Sequence, residues 1–247
     1  MKKLAGIMAL VFILSATLCA ADNALTAQEK AQGWKLLFDG KTLTGWSAAA
    51  PPARGRGRGA AAAGGAAARG AAPAQPGAMA QVGSDPRACS TPEGKAEVPP
   101  GSSHWEVING AISPCGDPTG YLTSEESFKD FVLSIEFRCA EDTNSGVFVR
   151  SPGGNGGYEV QIWKVQPAGY NTGSIVNTGK TGRQYDFKPN QWNRYEITAD
   201  GDHLLVVLNG QTTLDVHDKR FAEGRIRFQY QKFPIDFRNI KIRPITH

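Results

Sequence analysis

Beyond residue 100, apolar and polar residues alternate along most of the chain with a period of two, which sends successive side chains to opposite faces of a β-strand. Ser134-Ile-Glu-Phe-Arg138, Val147-Phe-Val-Arg150 and Tyr158-Glu-Val-Gln-Ile162 show it most plainly. The pattern predicts strands at Lys35–Phe38, Trp105–Ile108, Ala111–Ser113, Phe131–Arg138, Gly146–Arg150 and Tyr158–Trp163. Further strands are predicted at Ile175, Trp192–Ala199, His203–Leu208, Arg225–Gln229 and Phe237–Ile242. Asn109-Gly110, Asp200-Gly201 and Asn209-Gly210 fall between them as tight hairpin turns. Ala24 to Gly33 reads as one short helix, capped by Thr26 with Glu29 three places on. No long amphipathic helix follows, so the pattern predicts an all-β fold, a sandwich of two antiparallel sheets.

Two stretches stand outside this pattern. Residues 1–21 carry Lys2 and Lys3, an apolar run from Leu4 to Leu14 and small residues at Ala16, Ala20 and Ala21, the organisation of a signal peptide. The run is short for a membrane span, so the expectation is a periplasmic or secreted protein with no transmembrane span. Leu18 before Cys19, where a lipoprotein signal needs a small residue, argues against a lipid anchor. From about 47 to 101 the chain is an Ala/Gly/Arg/Pro-rich insertion without a single Phe, Tyr or Trp, which reads as disordered. Arg54-Gly-Arg-Gly-Arg-Gly59 resembles part of an RNA-binding box, but without aromatics to stack on bases no nucleic-acid partner is expected. Residues 22–247 otherwise make one domain.

The formal charge of +4 belongs largely to those two stretches. Lys2 and Lys3 lie in the leader, and Arg54, Arg56, Arg58, Arg69 and Arg87 oppose only Asp85 between residues 47 and 90, leaving a folded part of about −2. Cys89, Cys115 and Cys139 remain after the leader; one bridge and one free thiol is the simplest outcome, and the pairing stays open.

Polar residues recur on the faces that the alternation leaves outside. Glu159 and Gln161 leave one face of their strand with Trp163 next in the row; Arg150 shares a face with Phe148; Glu136 and Arg138 alternate with Ile135 and Phe137; Arg227 and Gln229 alternate with Ile226 and Phe228. Asn144 enters the Arg150 strand from a turn. Carboxylate, guanidinium and amide groups together suit a polyhydroxylated ligand, although a solvated face or structural ion pairs would use the same residues. His104, His203, His217 and His247 are scattered without ligand spacing, so no cofactor is assigned, while a divalent metal held by carboxylates and carbonyls is compatible with the sequence. Trp34, Phe38, Trp46 and Tyr195 read as core.

Gly33-Trp-Lys-Leu-Leu-Phe-Asp-Gly-Lys-Thr-Leu-Thr-Gly-Trp46 is followed in order by Trp105-Glu-Val-Ile-Asn-Gly110, Gly120-Tyr-Leu-Thr123, Asn144-Ser-Gly-Val-Phe-Val-Arg150 and Tyr158-Glu-Val-Gln-Ile162. Together with Phe237-Arg-Asn-Ile-Lys-Ile242 these segments resemble the bacterial family of 3-keto-disaccharide hydrolase domains. The resemblance implies a concanavalin A-like jelly-roll sandwich in an exported enzyme that cleaves 3-keto-glycosides, with an oligosaccharide or glycoside as substrate. Such cleavage needs a base for the C2 proton, a holder for the enolate oxygen and an acid for the leaving group. The expected base is Glu159, with Arg150 at the carbonyl and Glu136 as a second carboxylate; Gln161, Trp163, Asn144, Arg138, Arg227 and Gln229 are the expected substrate contacts. The chain departs from the family at Trp163, where an Asp is usual, and at Tyr230-Gln-Lys-Phe233, where a His is common. A non-catalytic carbohydrate-binding module is therefore the alternative reading, and an envelope contact through the insertion a third.

Overall fold

The computed structural model describes residues 22–49, 103–116, 120–154, 156–182, 185, 187–231 and 235–247. The expected leader, most of the expected insertion, Cys19 and Cys89 lie outside the described residues. One helix, α1 (Ala27–Ala31), opens the described chain, and Thr26 and Glu29 close a reciprocal capping box as predicted. Thirteen strands follow: β1 (Lys35–Leu36), β2 (Trp46–Ala49), β3 (Ser103–Ile108), β4 (Ala111–Gly116), β5 (Gly120–Phe128), β6 (Phe131–Cys139), β7 (Ser145–Ser151), β8 (Tyr158–Ile162), β9 (Asn193–Asp200), β10 (His203–Leu208), β11 (Gln211–His217), β12 (Gly224–Tyr230) and β13 (Ile235–Pro244).

They form two antiparallel sheets, the jelly-roll sandwich anticipated from the resemblance. One sheet runs β11-β10-β9-β6-β13-β4-β3 with β1 also paired to β13; the other runs β2-β5-β12-β7-β8. Asn109 and Gly110, and again Asn209 and Gly210, take left-handed φ (50° and 75°, 50° and 80°), which joins β3 to β4 and β10 to β11 by two-residue turns that most side chains would resist. Trp46 on β2 stacks on Phe228 of β12 at 4.8 Å between ring centroids, and Phe228 stacks on Phe237 of β13 at 4.4 Å. That three-ring column joins the two sheets through the core.

Three strands escaped the sequence pattern. Ser47–Ala49 belongs to β2, so the expected insertion begins later than its composition suggested. β5 carries Thr123-Ser-Glu-Glu-Ser127, and β11 is a polar edge strand with a register shift opposite Val206 and Val207. Ile175 makes only isolated bridges, to Val160 and Gly179. Cys115 is disulfide-bonded and Cys139 is a free, buried thiol whose pKa burial pushes up to about 12, which makes it inert rather than nucleophilic. No helix among the described residues is long and apolar enough to cross a membrane.

Candidate functional site

The face of the five-stranded sheet that turns away from the core is built by alternation. Tyr158, Val160 and Ile162 of β8 enter the core, so Glu159 and Gln161 leave on the other side. Val147 and Val149 of β7 do the same for Gly146 and Phe148, and Ile226, Phe228 and Tyr230 of β12 do so for Arg227 and Gln229. Strand register then lines these residues into two rows. Ser47, Thr123, Arg227, Phe148 and Glu159 are successive cross-strand partners, and beside them Tyr121 pairs with Gln229 and Gly146 with Gln161.

These side chains are polar yet largely shielded: Arg227 is 4% exposed, Gln161 4% and Gln229 8%. The Arg227 guanidinium lies 4.0 Å above the Tyr121 ring, and its Nη1 donates to the Gly154 carbonyl and to Ser151 Oγ at 3.2 Å. Its Nε and Nη2 make no hydrogen bond to the described residues, and burial holds its pKa below the usual arginine range. Glu159 makes no hydrogen bond or ion pair among the described residues. Burial raises its pKa to about 7, against a partial pull downward from Arg227. Gln229 Nε2 reaches Tyr121 Oη at 3.4 Å, while its buried Oε1 has no partner among the described residues. Buried polar groups left without partners cost stability, on the order of 1–3 kcal/mol each. Here an acceptor, a cation with open donors and a carboxyl of tunable charge all leave bonding capacity unused on one face. That is the arrangement of a site kept ready for a polar ligand.

The structure brings Glu159, Gln161, Arg227 and Gln229 together and takes three other expected residues away. Arg150 has a left-handed backbone (φ 51°), and the β12 ladder shifts register between Arg225 and Arg227, so the alternation that placed Arg150 beside Phe148 breaks there. Its side chain is fully buried: Nε donates to the Lys129 carbonyl at 2.7 Å, Nη1 to the Gly201 carbonyl at 2.6 Å and the Phe221 carbonyl at 3.3 Å, and Nη2 to Asp130 Oδ1 at 2.9 Å. Arg150 is a strut of the fold. Glu136 and Arg138 belong to β6 in the other sheet, where Glu136 pairs with Arg238 at 2.8 Å and Arg138 with Asp236 at 3.0 Å. The arginines of both pairs cover Trp192, with the Arg138 and Arg238 guanidinium groups over its ring at 4.6 and 4.0 Å. Periodicity assigns a face of a strand, not the sheet that the strand joins.

Asn144 sits at the end of the face, its Nδ2 donating to Gln231 Oε1 at 3.0 Å. β8 ends at Ile162, so Trp163 begins a loop instead of extending the row, with its N–H donating to Thr172 Oγ1 at 3.1 Å. Sequence reasoning missed Tyr121, whose signal was the alternation of Tyr121 and Thr123 with Leu122 at the start of β5. Among the described residues, the one cluster with metal-ligating geometry is Asp130, Asp200 and His247, at the far end of the sandwich and with Asp130 already engaged by Arg150. A hollow of about 420 Å³ beside it, lined by Lys129, Asp130, Gly201, Asp202, Lys219 and Phe221, contains none of the sheet-face residues.

Comparison with known proteins identifies the family and agrees with the fold. The sequence profile of the 3-keto-alpha-glucoside-1,2-lyase-like domain matches residues 33–243. A crystal structure of a proposed glycosyl hydrolase from Parabacteroides distasonis superposes with a TM-score of 0.63 at 18% identity, covering 92% of this chain and 100% of that one. Another proposed glycosyl hydrolase from the same organism gives 0.53 at 22% identity, with 86% and 84% covered. Likeness at these identities shows the fold alone. No curated protein matches the chain.

Proposed function

The chain belongs to the family of 3-keto-alpha-glucoside-1,2-lyase-like domains, and from that premise we propose that it cleaves 3-keto-glycosides on the outer face of its five-stranded sheet. A carbonyl at sugar C3 acidifies the proton on C2. Glu159, as carboxylate, takes that proton; the C–H electron pair becomes the C2=C3 bond, and the carbonyl electrons move onto the C3 oxygen. Arg227, with Nε and Nη2 open, takes the holding role expected of Arg150 and carries that oxyanion by charge-assisted hydrogen bonds. Collapse of the enolate restores the carbonyl, moves the C2=C3 electron pair into a new C1=C2 bond and expels the C1 oxygen with its bonding pair, which takes up the proton now on Glu159. Gln229 Oε1 and the Gln161 amide accept and donate hydrogen bonds to ring hydroxyls.

The single observation that supports this reading most is Glu159, a carboxyl with a pKa of about 7 beside an arginine with unspent donors. A base works best when its pKa lies near the working pH, because it is then both available and strong. The test is aglycone release from 3-keto-glucosides and from their unoxidised parents, by wild type and Glu159→Gln. Release from the keto forms alone, lost in the variant while its melting temperature holds, is expected. Equal release by the variant would remove Glu159 from the chemistry. The second reading, a carbohydrate-binding module without turnover, is favoured by Tyr230, which is 1% exposed and packs in the core against Trp105, so its phenol does not open onto the sheet face. Sugar binding with no release from any substrate would select it.

A further inference from the structure

Gly146 lies in the interior of β7, where a glycine weakens a strand by offering nothing to pack. Its backbone gives no reason for glycine, since Gly146 is absent from the residues with left-handed φ, unlike Gly157 and Gly224. Space gives the reason. A Cβ at this position would stand 2.8 Å from Glu159 Oε1 and 2.9 Å from its Cγ, closer than non-bonded atoms approach, and a tight 3.3 Å from its Cδ. The Glu159 side chain therefore lies across the Gly146 backbone, one register step from its own cross-strand partner Phe148.

We propose that Gly146 is a positioning residue: its missing side chain is the notch that draws the Glu159 carboxyl down onto the sheet and holds it beside Arg227 and Gln229. The inference deepens the catalytic reading and rests on it for its meaning, but the geometry stands without any sugar. The groups that face the carboxyl are few. Among the described residues, Arg227 acts on it electrostatically from β12 without contact, with Tyr121 of β5 beneath that guanidinium; β7 offers Phe148 and Gly146, and β8 offers Gln161. Arg227 is the only charged group among them. Lying in the notch partly withdraws the half-buried carboxyl from water and favours its neutral form, which fits the direction in which its titration is displaced. A methyl group at position 146 would turn the carboxyl outward, return it to water and carry it away from Arg227.

The test uses the full chain without substrate. Carboxyl-labelled glutamate NMR, with Glu159→Gln identifying the signal, should show Glu159 of the wild type titrating near 7 and that of Gly146→Ala moving down towards the ordinary 4.5. An unchanged titration in Gly146→Ala would overturn the proposal. A double-mutant cycle covers the case in which Gly146→Ala folds poorly. Alanine at 146 should lower the melting temperature in the wild-type background and have far less effect when Glu159 is also alanine. An equal loss in both backgrounds, or failure of both alanine-146 proteins to fold, would show that the glycine serves something other than Glu159. Neither measurement depends on turnover, so failure to cleave a keto-glycoside would count against the proposed activity and leave this result standing.

Discussion

Replacing Arg150 with Met should unfold this protein more easily without touching the sheet face. The native guanidinium is fully buried and donates to three backbone carbonyls and to Asp130, whose side chain is itself only 11% exposed. Removing one member of a buried ion pair leaves the other charge uncompensated, which costs about 3–5 kcal/mol. The orphaned carbonyls of Lys129, Gly201 and Phe221 add to this, but water entering the exposed turns offsets part of it, so the whole loss stays near that range. Against a total stability of roughly 5–15 kcal/mol the change is large. At ~2–4 °C per kcal/mol for a chain of this size, it amounts to a drop of roughly 6–20 °C in melting temperature. Arg150→Lys should fall between, because it keeps a charge for Asp130 but loses the planar fork that reaches several acceptors at once. The assay is thermal and urea unfolding of the three proteins, together with aglycone release below their transitions. Melting within about 2 °C of wild type would refute the reasoning, as would a normally folded Arg150→Met protein that has lost conversion, which would return Arg150 to the chemistry.

Two further predictions concern the sheet face. Glu159 is an acid whose folded pKa, about 7, lies above its ordinary 4.5, so between those values the folded state binds more protons and stability falls as pH rises. Urea midpoints should show wild type losing at most about 3 kcal/mol from this group between pH 4.5 and 7.5, and Glu159→Gln should remove that component of the slope. Because Arg227 draws the Glu159 pKa down, Arg227→Met should raise the titration of Glu159 further and lower conversion by about 100- to 1,000-fold; a variant with unchanged rate would exclude Arg227 from holding the oxyanion.

The parts of the sandwich that could be read from sequence are those where period and propensity agree. β6, β8, β9 and β10 alternate cleanly, as β7 does as far as Val149, and the Asn-Gly turns fix where the hairpins reverse. β5 was hidden because tertiary partners make its polar residues acceptable inside. Ser124 is 4% exposed, donating to the Glu126 carbonyl at 2.7 Å and accepting from the Ile226 N–H at 3.0 Å. Glu159, Gln161, Arg227 and Gln229 were legible for the same reason as the strands, since each sits on an unbroken alternation. Arg150 was misread because one bulge in its own strand, where its backbone turns left-handed, reverses the face it presents. Glu136 and Arg138 were misread because strand order is a property of the whole chain, absent from any local window.

The position of β13 has a consequence for how the molecule comes into being. This final strand lies between β6 and β4 at the middle of the larger sheet, and it also receives β1 from the opposite end of the chain. Asn23 and Asn239 exchange hydrogen bonds between backbone N–H groups and side-chain oxygens, and Lys241 binds Glu29 of α1 at 2.8 Å. A ribosome must therefore finish residues 235–244 before the sheet has its centre or the first residues have a place to dock. Loop closure over more than 200 residues is slow compared with forming any one hairpin. Assembly of the larger sheet therefore waits on its last strand, however early the local hairpins such as β9-β10-β11 form.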